Sequence, residues 1–447
     1  MQKTSQTVRW QPVLENIFQR IAAPEFCQRH RRRPSDFTRE RLLPFTVVML
    51  FLLQKSARSI QCHLQTFFQT LWPGKNSATA GAWTQARAKL KHTAFIELNQ
   101  AVLLPGFYAA DQAQHRRDWR GHRLLGVDGS SLRLPAHAEV FQAFGPVAVT
   151  NQGGGTGTVY AAGRLSVLYD LRNEIGLDAQ VAAISTSEVA LAIKQLAHVG
   201  KNDVLIWDRG FTGFVLMAQT LARGADFIGR CSTGSFGPAQ SLFGRKQAGV
   251  SQTVRLRASW GQQPELRRLQ LPLEITVRFL SLRLPTGELE VLVTSLLDEK
   301  SYPTGEFLEV YHWRWGHETY HLMLKSRLDL ENWSGQTLEA VYQDVQAAVF
   351  VSNLESLLSQ EPQEALRAGD EARQYPAQIN RAVSYHALKE RMLDLLWSKK
   401  PLVQIIREIQ EWMRKNPVAV RKRERRRRPP SLHRSYHYQR HLKKSVF

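Results

Sequence analysis

Residues 203–211 have the sequence DVLIWDRGF, and this short stretch decides the fold class. Its apolar run ends in Asp208, an arginine and a glycine, as expected for a buried strand that runs into a turn. A helical pattern, GFVLMAQTLARG, and a second short strand, DFIGRC, follow it. The order of strand, helix and strand predicts an α/β protein.

The chain on both sides of this stretch extends the α/β pattern. Before it, HRLLGVDGSSLRLP predicts a strand, a turn and a strand, and RLSVLYDLRNEIGLDAQVA predicts a hairpin that turns at residues 173–176. Residues 188–199 are helical, which gives a meander followed by alternating helices and strands. Between residues 233 and 298, strand patterns with turns between them predict an all-β insertion.

Helical periodicity dominates both ends of the chain. Residues 1 to about 115 predict helices, and two amphipathic helices are expected within residues 384–415. In the N-terminal region Arg87, Lys89 and Lys91 follow a turn of small residues. This pattern resembles a DNA-binding helix-turn-helix, but a plain helical bundle fits it equally well.

The net charge of +21 is the strongest signal in the composition, because such an excess of cations favours a polyanionic partner. Residues 414–447 hold 13 Lys or Arg and one acid, Glu424, so the rest of the chain is only mildly basic. We interpret residues 416–447 as a basic disordered tail that binds nucleic acid unspecifically or keeps the protein in solution.

Cysteine spacing, hydropathy and glycine motifs exclude several classes of protein. The three cysteines form no CxxC pair, which fits a reducing compartment and argues against cysteine-bound zinc. The most apolar run, residues 42–53, is too short to cross a bilayer, and no secretion signal is evident. NQGGGTGT (151–158) lacks the ending of a phosphate-binding loop. We expect a cytoplasmic protein with no membrane partner and no nucleotide cofactor.

Two aspartates follow apolar runs of predicted core strands. Asp128 lies in LLGVDGSS and Asp208 in VLIWDRGF. Such residues most often form turns, yet ligands of open α/β sheets bind at the carboxyl ends of strands. Together with Glu318 they would give a hard-oxygen site suited to Mg²⁺ or Mn²⁺. Two such ions can activate an attacking hydroxyl and stabilise the leaving oxygen of a phosphodiester.

Glu318 belongs to the stretch YHWRWGHETYHLMLK, residues 311–325. If this stretch is one helix, Tyr311, Arg314, Glu318 and Lys325 lie in a stripe about 60° wide. A charged stripe is most often a solvated face with ion pairs. Alternatively, Arg314 and Lys325 bind phosphates beside the metal ions, and Tyr311 donates to a phosphate or orients a carboxylate.

The three acids and the spacing Tyr311-x2-Arg314-x3-Glu318-x6-Lys325 resemble the acidic triad and YREK signature of transposases of the insertion sequence 4 family. The resemblance extends over roughly residues 30–360. It implies that Asp128, Asp208 and Glu318 are catalytic and bind two Mg²⁺ ions, for which Mn²⁺ can substitute. It also implies that Tyr311, Arg314 and Lys325 contact DNA.

The resemblance implies a ribonuclease H-like catalytic core with the all-β insertion, flanked by helical N- and C-terminal regions. The expected segments are a helical DNA-end-binding domain (1–115), the first part of the core (116–232), the all-β insertion (233–298), the second part of the core (299–365), a C-terminal helical region (366–415) and the basic tail (416–447).

The implied activity is cut-and-paste transposition: cleavage at insertion-sequence ends and strand transfer of the freed 3′ hydroxyl into target DNA. Double-stranded DNA of the ends and of the target would be held by a homodimer, associated with the nucleoid. Some relatives form a hairpin and stack a flipped base on a tryptophan. Trp260 is the only tryptophan of residues 233–298, and core packing is expected for Trp207, Trp313 and Trp315.

Two other functions fit the same sequence. A ribonuclease H-like nuclease would cut DNA without strand transfer. A transposase-derived DNA-binding protein would keep the charge and lose the chemistry, although retention of all three acids argues against it.

Overall fold

The computed structural model describes residues 8–39, 41–56, 58–150, 156–398 and 400–421. The α-helices are α1 Gln11–Ala22, α2 Pro24–His30, α3 Phe45–Leu53, α4 Ile60–Leu71, α5 Ala80–Arg87, α6 Thr93–Glu97, α7 Leu104–Phe107, α8 Ala138–Phe144, α9 Glu188–Gln195, α10 Phe214–Ala222, α11 Gly237–Arg245, α12 Gln263–Arg268, α13 Phe307–His312, α14 Trp315–Ser326, α15 Leu338–Ala368, α16 Arg381–Trp397 and α17 Leu402–Lys415. The strands are β1 Arg123–Arg133, β2 Pro146–Thr150, β3 Thr156–Asp170, β4 Ile175–Ala183, β5 Asp203–Trp207, β6 Asp226–Arg230, β7 Ser251–Arg257, β8 Glu274–Arg283, β9 Leu289–Thr294, β10 Ala377–Gln378 and β11 Val418–Ala419.

The chain divides into two compact units. Taking only the residues that the structure describes, one lies within 1–109, 134–140 and 323–447, and the other lies within 110–133 and 141–322. The N-terminal and C-terminal helices therefore belong to one unit. The predicted division into a DNA-end-binding domain (1–115) and a C-terminal helical region (366–415) stays a prediction.

The second unit is built on a mixed sheet, which confirms the α/β prediction in this coarse form. Within the part of the chain that the structure describes, strands follow the order β2-β3-β1-β5-β6-β9-β8-β7, and β4 pairs with β3. The pairs β1–β5 and β5–β6 are parallel, whereas the other pairs are antiparallel. The predicted hairpin of residues 164–182 is present as β3 and β4.

The strand that decided the fold class, β5, is buried along its whole length. Its last residue, Trp207, is fully buried and stacks on Phe227 at 5.3 Å between ring centroids. Gly229 pairs with Trp207 in the parallel register, and a Cβ there would come within 2.5 Å of the indole nitrogen. The absence of a side chain at Gly229 thus makes room for the large ring.

The segment 233–298 is not all-β, which corrects the prediction. It contains α11 and α12 besides β7, β8 and β9. Each helix has a proline in its first turn, Pro238 and Pro264, where the fixed φ favours helix initiation. The strands also continue the main sheet, since β9 pairs with β6. Strand periodicity alone could not reveal these two short helices.

The first unit surrounds α15, most of whose residues are buried. Arg87, at the end of α5, is 4% exposed and bonds Gln343 and Asp344 of α15. Asn353 of α15 donates to the Asn99 side chain at 2.7 Å. Because Nε, Nη1 and Nη2 of Arg87 all donate to partners within this unit, the structure contradicts a role for Arg87 as a DNA-contacting cation of a helix-turn-helix.

The structure describes only part of two predicted features, the basic tail and the glycine-rich stretch. The predicted disordered tail starts at residue 416, yet Val418 and Ala419 form β11 and pair with β10. The rest of the tail, 422–447, and the glycine-rich residues 151–155 lie outside the described residues. No helix among the described residues is long and apolar enough to span a membrane.

Candidate active site

Asp128 and Asp208 occupy matching positions on neighbouring strands. The parallel register pairs Gly126 of β1 with Ile206 of β5, and each aspartate follows its paired residue by two positions. Neighbouring strands are about 4.8 Å apart, and residues two apart face the same side of a sheet. Both carboxylates therefore start from the carboxyl end of the parallel pair, as the sequence analysis predicted.

One detail of that prediction was wrong, because Asp128 does not end its strand. β1 continues to Arg133 through antiparallel pairing with β3. The expected turn at Gly129 is absent, since Gly129 pairs with Ser166 in that ladder. Only the pairing of β1 with β5 stops before Asp128.

Each aspartate uses one oxygen to bind the backbone that follows it. Asp128 Oδ1 accepts from Gly129 N and Asp208 Oδ1 accepts from Arg209 N, both at 2.8 Å. Tyr311 Oη donates to the same Oδ1 of Asp208 at 3.3 Å. Because these contacts all fall on Oδ1, the Oδ2 atoms remain as hard-oxygen donors for a cation.

The carboxylate of Asp128 is half-buried. Burial raises its pKa, and the nearby charge of Asp208 raises it further, whereas Gly129 N–H and the Arg314 guanidinium lower it. Interacting carboxylates with perturbed pKa values are frequent in functional sites. The two aspartates are therefore electrostatically coupled, and Arg314 offsets part of their repulsion.

Residues 311–325 do not form one continuous helix, which corrects the predicted stripe. α13 ends before residue 313 and α14 begins at Trp315. At the joint, Arg314 N donates to Tyr311 O at 3.1 Å, so the backbone is wound more tightly than an α-helix. Tyr311 thus lies on one helix, Arg314 lies in the joint, and Glu318 lies on the next helix.

Arg314 is the centre of the charged cluster. Its side chain is 5% exposed, and its Nη2 donates to Glu318 Oε1 at 3.1 Å. The guanidinium also lies 5.6 Å from the ring centroid of Tyr311 and 5.1 Å from that of Trp315. Burial opposes its charge, but Tyr311, Asp208 and Glu318 together raise the pKa of Arg314. It is a fixed cation among the predicted catalytic acids.

Tyr311 is buried, and its hydroxyl orients a carboxylate. Burial raises the pKa of this phenol above its ordinary value, so the hydroxyl stays protonated and donates to Asp208. Of the two roles predicted for Tyr311, this contact corresponds to the second. Lys325 lies further along α14, in the part of the helix that belongs to the other compact unit, and its role stays a prediction.

Two histidines on α14, His317 and His321, attach the Glu318 helix to the sheet, and no role was predicted for them from the sequence. His317 Nε2 lies 2.9 Å from Val167 O, and burial lowers the pKa of this imidazole to about 4. His321 Nε2 lies 3.4 Å from Asp128 O. A Cβ at Gly126 would come within 3.3 Å of His317, so the bare glycine permits this close approach.

A further cation and carboxylate near Asp208 were also missed. Arg230 Nη1 lies 3.7 Å from Asp208 Oδ1, and Arg230 Nε lies 3.7 Å from Glu290 Oε1. Glu290 is 5% exposed. An acid inside the apolar strand β9 was the available signal, but its partner Arg230 is 60 positions away in the sequence.

The tryptophans near the acids differ in their surroundings. Trp313 carries the Arg172 guanidinium 3.8 Å from its ring centroid, and Trp207 is in the core as predicted. Trp315 is 42% exposed, so the expected core packing is wrong for it. Trp260, in a short 3₁₀ turn, is 87% exposed.

The acids suit a divalent metal by their chemistry, but they are not arranged as a complete metal site. In the ranges covered by the structure, no three His, Cys, Asp or Glu side chains are close enough together to hold an ion. Asp128 and Asp208 offer hard oxygens, whereas Glu318 is paired with Arg314. Arg314 contacts Oε1 of Glu318, and the other oxygen of that carboxylate is the remaining hard-oxygen donor.

The mixed sheet with coupled aspartates at its parallel strands, beside an arginine-held glutamate, defines an α/β protein with an acidic candidate site. A family model described as "Transposase DDE domain" matches residues 119–354, which is just over half of the chain. The chain belongs to this family, and membership implies the use of a divalent metal.

Two individual proteins are similar to this chain. A segment of 94 residues is 31% identical to InsZ of Escherichia coli (strain K12), which bears the name of a transposase. That segment covers 21% of this chain and 30% of InsZ. The piggyBac transposase, solved by cryo-EM as a synaptic complex with hairpin DNA, is 11% identical, with 90% of this chain and 85% of that chain covered. The TM-score is 0.42.

Proposed function

We propose that this protein is a cut-and-paste DNA transposase that cleaves insertion-sequence ends and transfers the freed 3′ strands into target DNA. Asp128, Asp208 and Glu318 are its catalytic residues in this proposal. The observation that carries it is the register of β1 and β5, which aligns the two aspartates within the matched family region. The position of Arg314 beside Glu318 adds to it.

We further propose that the core is ribonuclease H-like and that the protein belongs with the insertion sequence 4 transposases. The antiparallel strands β4, β3 and β1, followed by the parallel strands β5 and β6, support the first part. The complete YREK spacing supports the second part.

The proposed division of labour follows from the contacts. Asp128, Asp208 and Glu318 would together hold two Mg²⁺ or Mn²⁺ ions. When bound, such ions supply activation of the attacking oxygen and stabilisation of the leaving oxygen. Tyr311 and the Arg209 backbone N–H keep the Asp208 carboxylate in a fixed orientation.

Arg314 would bind a DNA phosphate. Its Nε atom has no hydrogen-bond partner among the described residues, but the atom is buried, so the side chain would have to move before Nε could donate to a phosphate. If Glu318 moved away from Arg314, the Nη2 donor that now binds Glu318 would also be available to a phosphate. Lys325 would contribute a second phosphate contact. In this proposal a homodimer binds the transposon ends and the target DNA, in the cytoplasm at the nucleoid.

A strand-transfer assay tests the proposed function. The purified protein is incubated with Mg²⁺ and labelled DNA carrying the ends that flank its reading frame, together with target DNA. We expect metal-dependent nicks at those ends and joined products on a denaturing gel. Cleavage without joining would support the ribonuclease H-like nuclease, and end binding without cleavage in Mg²⁺ or Mn²⁺ would support the inactive DNA-binding protein. A product that migrates as a closed hairpin would show that the reaction passes through a hairpin intermediate.

Removal of the basic tail should weaken unspecific DNA binding. Truncation after Pro417 removes most of the 13 cations of residues 414–447, so fewer counterions are released on binding. We expect lower affinity for random duplex and a flatter plot of log affinity against log salt concentration, measured by fluorescence anisotropy. An unchanged slope would show that the tail does not contact DNA.

A further inference from the structure

Arg230 lies midway between two carboxylates. Its Nη1 is 3.7 Å from Asp208 Oδ1 and its Nε is 3.7 Å from Glu290 Oε1. Both distances exceed that of a close hydrogen bond, so the guanidinium is fully paired with neither acid. A small movement of this long side chain would strengthen one contact and weaken the other.

Glu290 requires a cation at this position. It lies on β9, and the register pairs Arg230 of β6 with Leu292, so Glu290 and Arg230 are diagonal neighbours on one face of the sheet. Glu290 is 5% exposed, and its Oε1 has no hydrogen-bond partner among the residues described. A buried carboxylate oxygen without a partner is costly. Among the described residues Arg230 forms the ion pair with Glu290, and the charge of Arg314 also acts on this carboxylate.

Asp208 depends less than Glu290 on Arg230 for stabilisation of its charge. Its Oδ1 already accepts from Arg209 N and from Tyr311 Oη, and its side chain is 35% exposed to solvent. A guanidinium close to this carboxylate would oppose the binding of a divalent cation there, because the two positive charges repel each other. The position of Arg230 therefore bears on metal binding at Asp208.

We propose that Glu290 is a positioning residue that draws Arg230 away from Asp208 and so permits a divalent metal to bind that aspartate. Before the metal binds, Arg230 is shared by both acids and offsets their repulsion. With a divalent ion held at Asp208, Arg230 would pair with Glu290 alone. This inference rests on the proposed function, since it assumes a metal at Asp208.

The Mn²⁺ affinity of the full-length protein without DNA tests the inference. Isothermal titration and the electron paramagnetic resonance of free Mn²⁺ measure this affinity. We expect Glu290→Gln to weaken the Asp208-dependent site about 10-fold, as partners of metal ligands typically do, because Arg230 then pairs with Asp208. The double variant Glu290→Gln/Arg230→Gln should regain affinity within about 3-fold of the native protein, a difference of less than 1 kcal/mol. Glu288→Gln, an exposed acid beside the same strand, is the matched control and should change nothing.

The outcomes separate this inference from the proposed function. Native affinity in Glu290→Gln, or a double variant as weak as the single one, would overturn the positioning role, and the latter result would indicate that Glu290 itself binds metal. If Asp208→Asn binds Mn²⁺ as the native protein does, the metal site of the proposed function fails, and the inference fails with it. If Glu290→Gln does not fold, the Mn²⁺ affinity of the single variant Arg230→Gln tests the inference instead. The inference requires this affinity to equal or exceed that of the native protein, and a lower affinity contradicts it.

Discussion

Replacing Asp208 by Asn is expected to lower DNA cleavage and strand transfer by about 10²–10³-fold or more, while binding to the element ends stays within about 3-fold of native. The amide is nearly isosteric, and its oxygen can still accept the backbone N–H of Arg209 that holds the carboxylate now. The change therefore removes a negative charge and leaves the local fold intact. Single-turnover cleavage of labelled end DNA and an anisotropy titration measure the two quantities.

Asp128→Asn should behave in the same way, because Asp128 Oδ1 accepts from Gly129 N in the equivalent geometry. Asp111→Asn, at an exposed aspartate, supplies the matched control and should cleave at the native rate. Cleavage within about 10-fold of native in either active-site variant would remove that aspartate from the catalytic residues, since a lost metal ligand cannot have so small an effect.

The sequence could predict the two aspartates because their signal is local. An apolar run that ends in an acid needs a window of a few residues, and an α/β order implies that parallel strands end at one edge. The structure agrees, with Asp128 and Asp208 two positions beyond Gly126 and Ile206, the last residues that β1 and β5 pair with each other. The same local patterns correctly indicated the hairpin of β3 and β4.

What the sequence could not predict depends on contacts that are distant along the chain. The break at Trp313 and Arg314 occurs where the Trp313 ring packs against Arg172 and the Arg314 side chain is buried among acids. Helical periodicity continues through such a break, so spacing alone describes one long helix. The pairing of Arg230 with Glu290 likewise depends on the antiparallel register of β6 and β9.

Arg87 in the helical unit is another residue whose contacts the sequence could not predict. Its basic neighbours Lys89 and Lys91 made it resemble a DNA-contacting residue. In the structure its guanidinium donates to Gln343 Oε1 at 2.6 Å, Ser334 Oγ at 2.6 Å, Ala340 O at 2.8 Å and Asp344 Oδ1 at 2.7 Å. Burial alone would raise the pKa of Asp344, but Arg87, Lys55 and Ser334 together lower it. The carboxylate is thus kept ionised in the interior by these partners.

Arg87→Met is therefore expected to lower the free energy of unfolding by about 3–5 kcal/mol, because it leaves the Asp344 charge and the Gln343 amide short of partners in the interior. Urea unfolding followed by circular dichroism measures the change, and Arg33→Met, at an exposed arginine, serves as the control. The double variant Arg87→Met/Asp344→Leu should lose less stability than the sum of the single variants, since removing both charges leaves fewer unpaired groups. If Arg87→Met instead unfolds like the native protein but binds end DNA more weakly, Arg87 contacts DNA and the helix-turn-helix interpretation of residues 77–91 is restored.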